Sequence, residues 1–291
     1  MSSSDKPLLG GIEAGGTKFV LAVGHSPTEI IARHEIPTRD PSTTLAEAGE
    51  WFEGQQAISA LGIASFGPVE LDRSSPHWGH ITNTPKPGWA NCDIAGYFAE
   101  RLAVPIGFDT DVNGAALAEY EHGAGKAAAS LAYITVGTGI GGGLVLDGTA
   151  VHGAAHPETG HILPRRHADD REFEGVCPHH GDCLEGLASG PAIKARWGSS
   201  LSELPADHLA HEIIAYYLAQ LAHSLIAMTA AEIIVLGGGV MRTGGLLGRV
   251  NERASQIGAA YFPGGSKHKI VSPGLGNNAG LAGALLLAPS H

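Results

Sequence analysis

Four side chains with metal-ligating chemistry fall within one stretch of the sequence. His161, Cys177, His180 and Cys183 are spaced H-x15-C-x2-H-x2-C, so a single short loop supplies all but the first. Two thiolates and two imidazoles are a ligand set for structural Zn²⁺, and four protein ligands leave no open position for hydrolysis. The alternative is a Cys177–Cys183 disulfide beside unrelated histidines, and His179 is a rival ligand. A reducing compartment favours zinc over the disulfide.

Three glycine-rich stretches are candidates for holding a nucleotide. In the first, "GIEAGGTK", the glycines Gly15 and Gly16 are followed by Thr17 and Lys18 between two apolar runs. Backbone N–H groups, a hydroxyl and an ammonium at such a bend can surround a phosphate. An ordinary hairpin turn explains the same residues equally well.

The second stretch, "GTGIGG" at Gly137–Gly142, matches the G-x-G-x-x-G dinucleotide fingerprint, but the strand-like "GLVLDG" follows it. The fingerprint requires a helix after the glycines, so a Rossmann site is not predicted. The third stretch, "IVLGGGVM", would let an adenine or ribose lie against its backbone, or would only turn a strand into a helix. The sequence contains neither a P-loop nor the further motifs of protein kinases.

Carboxylates lie in predicted loops and junctions. The segment that contains Asp109 and Asp111 lies between a predicted strand and a predicted helix, where ligands gather in open α/β sheets. Asp111 is a candidate general base for an attacking hydroxyl, or else a helix N-cap. Glu158 precedes His161 by three residues and Glu185 follows Cys183 by two. A bound metal would hold both rigid as acceptors for sugar hydroxyls; the alternative is that each is a solvated acid.

Two segments of the sequence are predicted to form the hairpins that position these groups. "LLGGIEAGGTKFVLAVG" and "LAYITVGTGIGGGLVLDG" share one plan of strand, glycine bend and strand, each followed by predicted helices. This duplication predicts an α/β protein of two similar lobes. We expect an N-terminal lobe over 1–121, joined by a C-terminal helix in 275–291, and a second lobe over 122–274. Segment 152–185 lacks periodicity and is predicted to be a metal-stapled functional loop.

Composition narrows the function classes. The chain has 291 residues, 43% hydrophobic and 16% charged, with a formal net charge of −11. An acidic chain without a Lys/Arg cluster is a poor candidate for binding nucleic acid or a membrane surface. We find no signal-peptide pattern and no apolar run of about 18 residues. The sequence therefore predicts a cytoplasmic protein of about two domains.

Taken together, these motifs resemble the ROK family of sugar kinases over nearly the whole chain. "IEAGGTK" is similar to the family's D-x-G-G-T-K loop, "DTDVNGAALAE" to N-D-A-N-x-A-x-x-A-E, and "HPETGH" to G-E-x-G-H. "CPHHGDCLEGLASGPA" resembles the family's zinc and sugar segment, and "VLGGGV" its adenosine loop. "ITNTPKPGW" is most similar to the bacterial, zinc-containing fructokinase branch. Glu13 and Thr110 depart from the family's usual Asp and Asn.

The resemblance implies a fold, a reaction and a set of roles. The fold is the two-lobed, actin-like (ribonuclease H-like) ATPase fold with an interlobe cleft. The reaction is transfer of a phosphoryl group from Mg·ATP to a hexose, most simply fructose to fructose 6-phosphate, with Asp111 as the base. The implied sugar ligands are Asn83, Asn113, Glu158, His161 and Glu185. The implied ATP ligands are Gly15, Gly16, Thr17, Lys18, Gly137, Thr138, Gly139, Pro191, Gly237, Gly238, Gly239 and Met241.

Other functions stay open at this point. The acceptor could be mannose, glucose or an N-acetyl amino sugar, and a non-catalytic sugar sensor would share the same motifs. Family members are often homodimers, so a homodimer is a further expectation. The family's repressors have an N-terminal helix-turn-helix, whereas the first predicted strand here begins at about residue 8, so DNA binding is not expected.

Overall fold

The computed structural model describes residues 6–289. In chain order the elements are β1 (Leu9–Ala14), β2 (Lys18–Ser26), β3 (Glu29–Pro37), α1 (Pro41–Glu53), β4 (Ala60–Ser65), β5 (His80–Ile81), β6 (Cys92–Asp93), α2 (Ile94–Leu102), β7 (Ile106–Thr110), α3 (Asp111–His122), β8 (Ser130–Val136), β9 (Ile140–Leu146), β10 (Thr149–Ala150), α4 (Leu184–Ala188), α5 (Gly190–Trp197), α6 (Leu209–Thr229), β11 (Ile233–Gly237), α7 (Leu246–Gly258), β12 (Lys269–Val271) and α8 (Ala279–Leu287). The predicted lobes also include residues 1–5 and 290–291, which lie outside the described residues.

Two five-stranded sheets have the same internal order. One is β3-β2-β1-β4-β7 and the other is β10-β9-β8-β11-β12. In the first, Ile12 of β1 lies opposite Leu21 of antiparallel β2 and Ile63 of parallel β4. In the second, Ile134 of β8 lies opposite Gly142 of antiparallel β9 and Leu236 of parallel β11. The shared hairpin and parallel crossover confirm the predicted duplicated α/β architecture.

The chain divides into two compact units, each built around one of these sheets. Of the described residues, the first unit contains 6–118, 150–156 and 277–289, and the second contains 119–149 and 157–276. The sequence predicts a division near 121 and places the C-terminal helix with the first lobe. It also predicts all of 152–185 in the second lobe, whereas 150–156 groups with the first unit.

Two histidines attach the short segment 150–156 to the first unit. His152 Nε2 lies 2.9 Å from Asp109 Oδ2, and the Val69 N–H donates to His156 Nε2 at 3.2 Å. Both contacts join residues far apart in the sequence. No local pattern therefore predicts where this segment belongs.

Helix α8 packs directly on the sheet of the first unit. A Cβ on Gly62 of β4 would lie 1.8 Å from the Ala284 carbonyl oxygen, and one on Gly107 of β7 would lie 1.7 Å from that of Leu287. Only glycine allows this close approach of helix and strand backbones. The two glycines therefore seat α8 against the strand that leads to the Asp109–Asn113 junction.

The second unit buries much of the long helix α6, which packs against α7 and α4. Ile214, Tyr217 and Leu218 of this long helix are fully buried, as is Val235 of β11. The aliphatic side chains of α6 are buried around much of its circumference, which is typical of a helix inside a large core. Across residues 6–289, no helix combines the length and the apolar character needed to cross a membrane.

Candidate functional site

The four predicted metal ligands meet in one cluster of the second unit. His161 Nδ1 lies 3.5 Å from Cys183 Sγ and 3.9 Å from Cys177 Sγ, and His180 Nδ1 lies 3.7 Å from Cys177 Sγ. Metal bonds of about 2.0–2.3 Å place tetrahedral donors roughly 3.3–3.8 Å apart, close to these separations. Both cysteines are free thiols, and the exposed His179 does not join the cluster. The donor set and its spacing fit a metal ion.

A tight turn between Cys177 and Gly181 brings the metal ligands of this loop close together. The Cys177 N–H donates to the Gly181 carbonyl at 3.2 Å, and the Gly181 N–H donates back at 2.9 Å. Gly181 has φ +59°, the left-handed conformation in which glycine is favoured. Cys183 then occupies the N-cap position of α4 without a side-chain capping hydrogen bond, so the start of this helix positions the last ligand.

Asp170 anchors the loop that precedes the cluster, and sequence reasoning missed it. Its side chain is buried, and its Oδ2 accepts from Arg196 Nη1 at 2.8 Å and from the Tyr217 hydroxyl at 2.7 Å. Arg166 lies 4.0 Å from the same oxygen and donates to Asp182 at 3.0 Å. Breaking a buried ion pair is costly. This network therefore holds the metal-binding loop against α5 and α6.

The second and third glycine-rich stretches and the start of α5 line one open pocket of the second unit. The pocket has a volume of about 460 Å³. Its lining residues are Gly137, Thr138, Gly190, Pro191, Gly239 and Val240. The Gly190 N–H donates to the Gly137 carbonyl at 2.7 Å, which joins the second glycine turn to the start of α5. A helix N-terminus beside exposed backbone is suited to binding an anion.

The pocket overlaps the predicted ATP ligands only in part. Gly137, Thr138, Pro191 and Gly239 line it, as the sequence predicts. Four other predicted ligands belong to the same turns but not to the lining, namely Gly139, Gly237, Gly238 and Met241. Gly190 and Val240 line the pocket without having been singled out in the sequence, although each adjoins a residue that was.

Glu185 connects the metal-binding segment to the second glycine turn. Its Oε2 accepts a hydrogen bond from the Ile140 N–H at 2.8 Å. The same oxygen would lie 2.7 Å from a Cβ on Gly139. The absence of a side chain at Gly139 therefore leaves room for the carboxylate. Helix α4, which begins directly after the last metal ligand, carries this acid.

The first glycine turn lies in the first unit and is open. Gly16, Thr17 and Lys18 are exposed, and a Cβ on Gly16 would meet no atom within 4 Å. Lys18 Nζ, a predicted phosphate ligand, donates to Glu35 Oε2 at 2.8 Å. Beside the turn, burial raises the pKa of Glu13. The turn presents free space, while its ammonium is already paired with a carboxylate.

Asp111 occupies the first position of α3, directly after the buried strand β7. Its Oδ1 accepts from the Val112 N–H at 2.9 Å, and the residue is half-buried. The N-cap hydrogen bond of the helix comes from another residue, because the Asn113 N–H donates to Thr110 Oγ1 at 3.1 Å. Thr110 therefore performs the capping role that was the structural alternative for Asp111.

Asp109 is the centre of a buried hydrogen-bond network beside Asp111. Its Oδ1 accepts from the Thr110 N–H at 2.7 Å and from Asn113 Nδ2 at 2.8 Å, and its Oδ2 faces His152. Asn113, a predicted sugar ligand, is fully buried. Its Nδ2 donates to Asp109, whereas its buried Oδ1 has no hydrogen-bond partner among the described residues, so its role as a sugar ligand stays a prediction. His152 was not singled out in the sequence, where it is one of several histidines in an irregular segment.

Two further predicted sugar ligands lie at the protein surface. Asn83 is exposed, on the loop after β5. The Glu158 side chain is 45% exposed, and its Oε2 lies 3.9 Å from His161 Nε2. The His161 ring thus turns Nδ1 toward the two sulfurs and Nε2 toward Glu158. The structure brings Glu158 to the metal cluster and leaves Asn83 in another unit.

Comparisons with known proteins identify relatives of this chain. The ROK family model matches residues 9–291. A fructokinase of Zymomonas mobilis subsp. mobilis is 50% identical, covering 98% of this chain and 97% of the relative. A fructokinase of Lactococcus lactis subsp. cremoris is 42% identical, covering 84% and 83%. The ROK hexokinase of Thermus thermophilus has a TM-score of 0.79 at 26% identity, covering 97% of both chains.

Proposed function

This chain belongs to the ROK family, and we propose that it is a fructokinase that transfers the γ-phosphoryl group of ATP to the 6-hydroxyl of D-fructose. The observation that carries the kinase reading is the pocket of about 460 Å³ lined by the second and third glycine-rich stretches and the start of α5. The choice of fructose is supported by relatives named fructokinase at 50% and 42% identity.

The nucleotide is assigned to the glycine turns. Gly137–Gly139 offers backbone N–H groups to the phosphates, and Gly15, Gly16, Thr17 and Lys18 are assigned the same role. Pro191 and the Gly237–Met241 segment lie along the nucleoside. Phosphoryl transfer needs mainly positioning and electrostatic stabilisation from the protein, which turns of this kind supply without side-chain chemistry.

The sugar and the proton are assigned to polar side chains. Asn83, Asn113, Glu158, His161 and Glu185 bind the hexose hydroxyls, and Asn113 also donates to Asp109 through Nδ2. The attacking 6-hydroxyl oxygen forms the new bond to the γ-phosphorus while the bond to the β-phosphate oxygen breaks and ADP leaves. Asp111 accepts the hydroxyl proton. Thr110, rather than Asp111, accepts the N-cap hydrogen bond of α3.

Two metals complete the proposal. Mg²⁺ accompanies ATP and offsets phosphate charge. Zn²⁺ is assigned to His161, Cys177, His180 and Cys183, whose two thiolates and two imidazoles form a closed structural set. Zinc in this position keeps the segment between Glu158 and Glu185 in a fixed conformation.

Metal analysis tests the zinc assignment. Cys183→Ser should lose bound zinc, measured by plasma mass spectrometry on the purified protein. Cys92→Ser is the matched control, because Cys92 is also a free thiol but lies outside the cluster. Full zinc occupancy in the Cys183 variant would contradict the assignment, as would loss of zinc in the control.

Cytoplasmic location and a homodimeric state belong to the same proposal. The cytoplasm supplies ATP and keeps Cys177 and Cys183 reduced, which a thiolate metal site requires. The dimer is supported by analogy with the family alone. Light scattering after size exclusion would give the mass in solution directly.

Release of ADP with different acceptors tests the reaction. The purified protein is assayed with Mg·ATP against fructose, mannose, glucose and N-acetylmannosamine. Turnover that depends on fructose and exceeds that of the other sugars is expected. Faster turnover with another sugar would identify that sugar as the acceptor and leave the proposed mechanism unchanged. Sugar binding without any ADP release would favour a sensor and contradict the kinase proposal.

A further inference from the structure

The His152 ring and the Asp109 carboxylate form a pair beside the proposed base. The Asp109 side chain is 7% exposed and that of His152 is 40% exposed. A buried carboxylate needs hydrogen-bond donors to offset the loss of water. Two donors come from the local β7–α3 segment, on Thr110 and Asn113. His152 is the donor on the other oxygen, and it comes from 43 positions along the chain.

The geometry fixes which ring nitrogen of His152 carries the proton. Nε2 lies 2.9 Å from Asp109 Oδ2, and an ionised carboxylate only accepts, so Nε2 must be the donor. Asn113 Nδ2 lies 3.3 Å from the same nitrogen and donates to Asp109 Oδ1. The Asn113 amide and the His152 ring are therefore two separate donors to the Asp109 carboxylate. Nδ1 is then the atom that gains or loses a proton when His152 titrates.

We infer that His152 is a positioning residue for Asp111, acting through Asp109; the inference rests on the proposed function, in which Asp111 is the base. Asp109 receives the histidine on one oxygen and the Thr110 N–H and Asn113 amide on the other. Those two donors flank Asp111 in the sequence. Any shift of the Asp109 carboxylate therefore moves the backbone that carries the base.

The charge of His152 changes the strength of this contact. The hydrogen bond to Asp109 raises the pKa of His152 above its ordinary value, although burial opposes the effect. Asp109 at the end of β7 is the charged group that faces the ring, and α3 faces it with the uncharged Asn113 amide. A charge-assisted hydrogen bond is about twice as strong as a neutral one. The stronger form exists below the raised pKa and is lost as the pH rises through it.

Activity should therefore fall at alkaline pH as His152 loses its charge. The test is the pH dependence of kcat with fructose and Mg·ATP for the wild type, His152→Gln and His80→Gln. Glutamine keeps an N–H donor but cannot become charged, so kcat should fall about tenfold with KM for ATP unchanged. The alkaline decline should also disappear. His80→Gln is the control, since His80 lies 3.7 Å from Asp93, another carboxylate of the first unit, and should keep the decline.

A His152→Gln enzyme with the wild-type kcat would overturn the inference, as would one that retains the alkaline decline. If this variant does not fold, ¹⁵N NMR of the wild-type imidazole decides instead. A protonated Nε2 and a pKa above about 6.5 are expected, and a pKa at or below that value would overturn the inference. If the wild type releases no ADP with any sugar, the proposed function fails, while the NMR titration still tests the His152–Asp109 contact.

Discussion

The turn of the first hairpin and the turn of the second have similar sequences but different surroundings. The first, at Gly15–Thr17, is open, and the ammonium of the following Lys18 is paired with Glu35. The second, at Gly137–Gly139, is held by Gly190 and Glu185 and lines a pocket. The difference teaches that local sequence specifies a glycine turn, whereas distant segments decide what the turn can bind.

The largest expected effect is the loss of kcat when the proposed base Asp111 is replaced. Asp111→Asn removes the proposed base but keeps an oxygen for the Val112 N–H. We expect kcat to fall by about 10²- to 10⁴-fold, the usual contribution of general base catalysis. Steady-state ADP release measures kcat, and calorimetric titration with a non-hydrolysable ATP analogue measures nucleotide affinity.

Nucleotide affinity and melting temperature should stay near wild type in the Asp111 variant. Near-normal turnover would show that Asp111 is not the base. A large loss of nucleotide affinity would contradict the assignment of Asp111 to proton transfer alone.

An intermediate effect, on kcat/KM for fructose, is expected when a methyl group is added to the second turn at Gly139. Alanine at Gly139 would place its Cβ 2.7 Å from Glu185 Oε2 and displace that carboxylate from the Ile140 N–H. Loss of one hydrogen bond to a charged group corresponds to about 1.5–3 kcal/mol, so kcat/KM for fructose should fall at least about tenfold. Steady-state kinetics over a range of fructose concentrations measure this.

Gly16→Ala is the matched control in the first turn, where the added methyl group meets no atom within 4 Å. Its thermal unfolding midpoint should equal that of the wild type. If both alanine variants have the same kcat/KM for fructose as the wild type, the contrast between the two turns has no functional consequence.

The smallest effect is expected from Lys18→Met, on the free energy of unfolding. The Lys18–Glu35 pair is about half-exposed, with side chains 52% and 48% accessible. Such pairs contribute about 0.2–1 kcal/mol, so Lys18→Met should lower the free energy of unfolding by no more than that. Urea unfolding at low and high salt measures it, and the difference should shrink at high salt. If Lys18→Met instead raises KM for ATP tenfold or more, the lysine leaves Glu35 to bind phosphate.

The predictable parts of the site are those set by short spacing. The ligands Cys177, His180 and Cys183 lie close together in the sequence, and their clustering follows from one turn. The glycine turns follow from the alternation of apolar runs and glycines, and their duplication predicts two similar sheets.

The remaining parts depend on contacts between distant segments. The resemblance implies that Asn113 is a sugar ligand, and only the fold shows that its buried amide also donates to Asp109. His152 and Asp170 gain their roles from partners 43 and 47 positions away. A single sequence contains no periodic or local signal that pairs residues over such separations.

Identification of the reaction product tests the central claim most directly. The protein is incubated with Mg·ATP and ¹³C-labelled fructose, and the products are followed by ¹³C and ³¹P NMR. We predict fructose 6-phosphate and ADP in equal amounts, with the carbon–phosphorus coupling at C6. Free inorganic phosphate without a phosphorylated sugar, or a phosphate on another hydroxyl, would contradict the account.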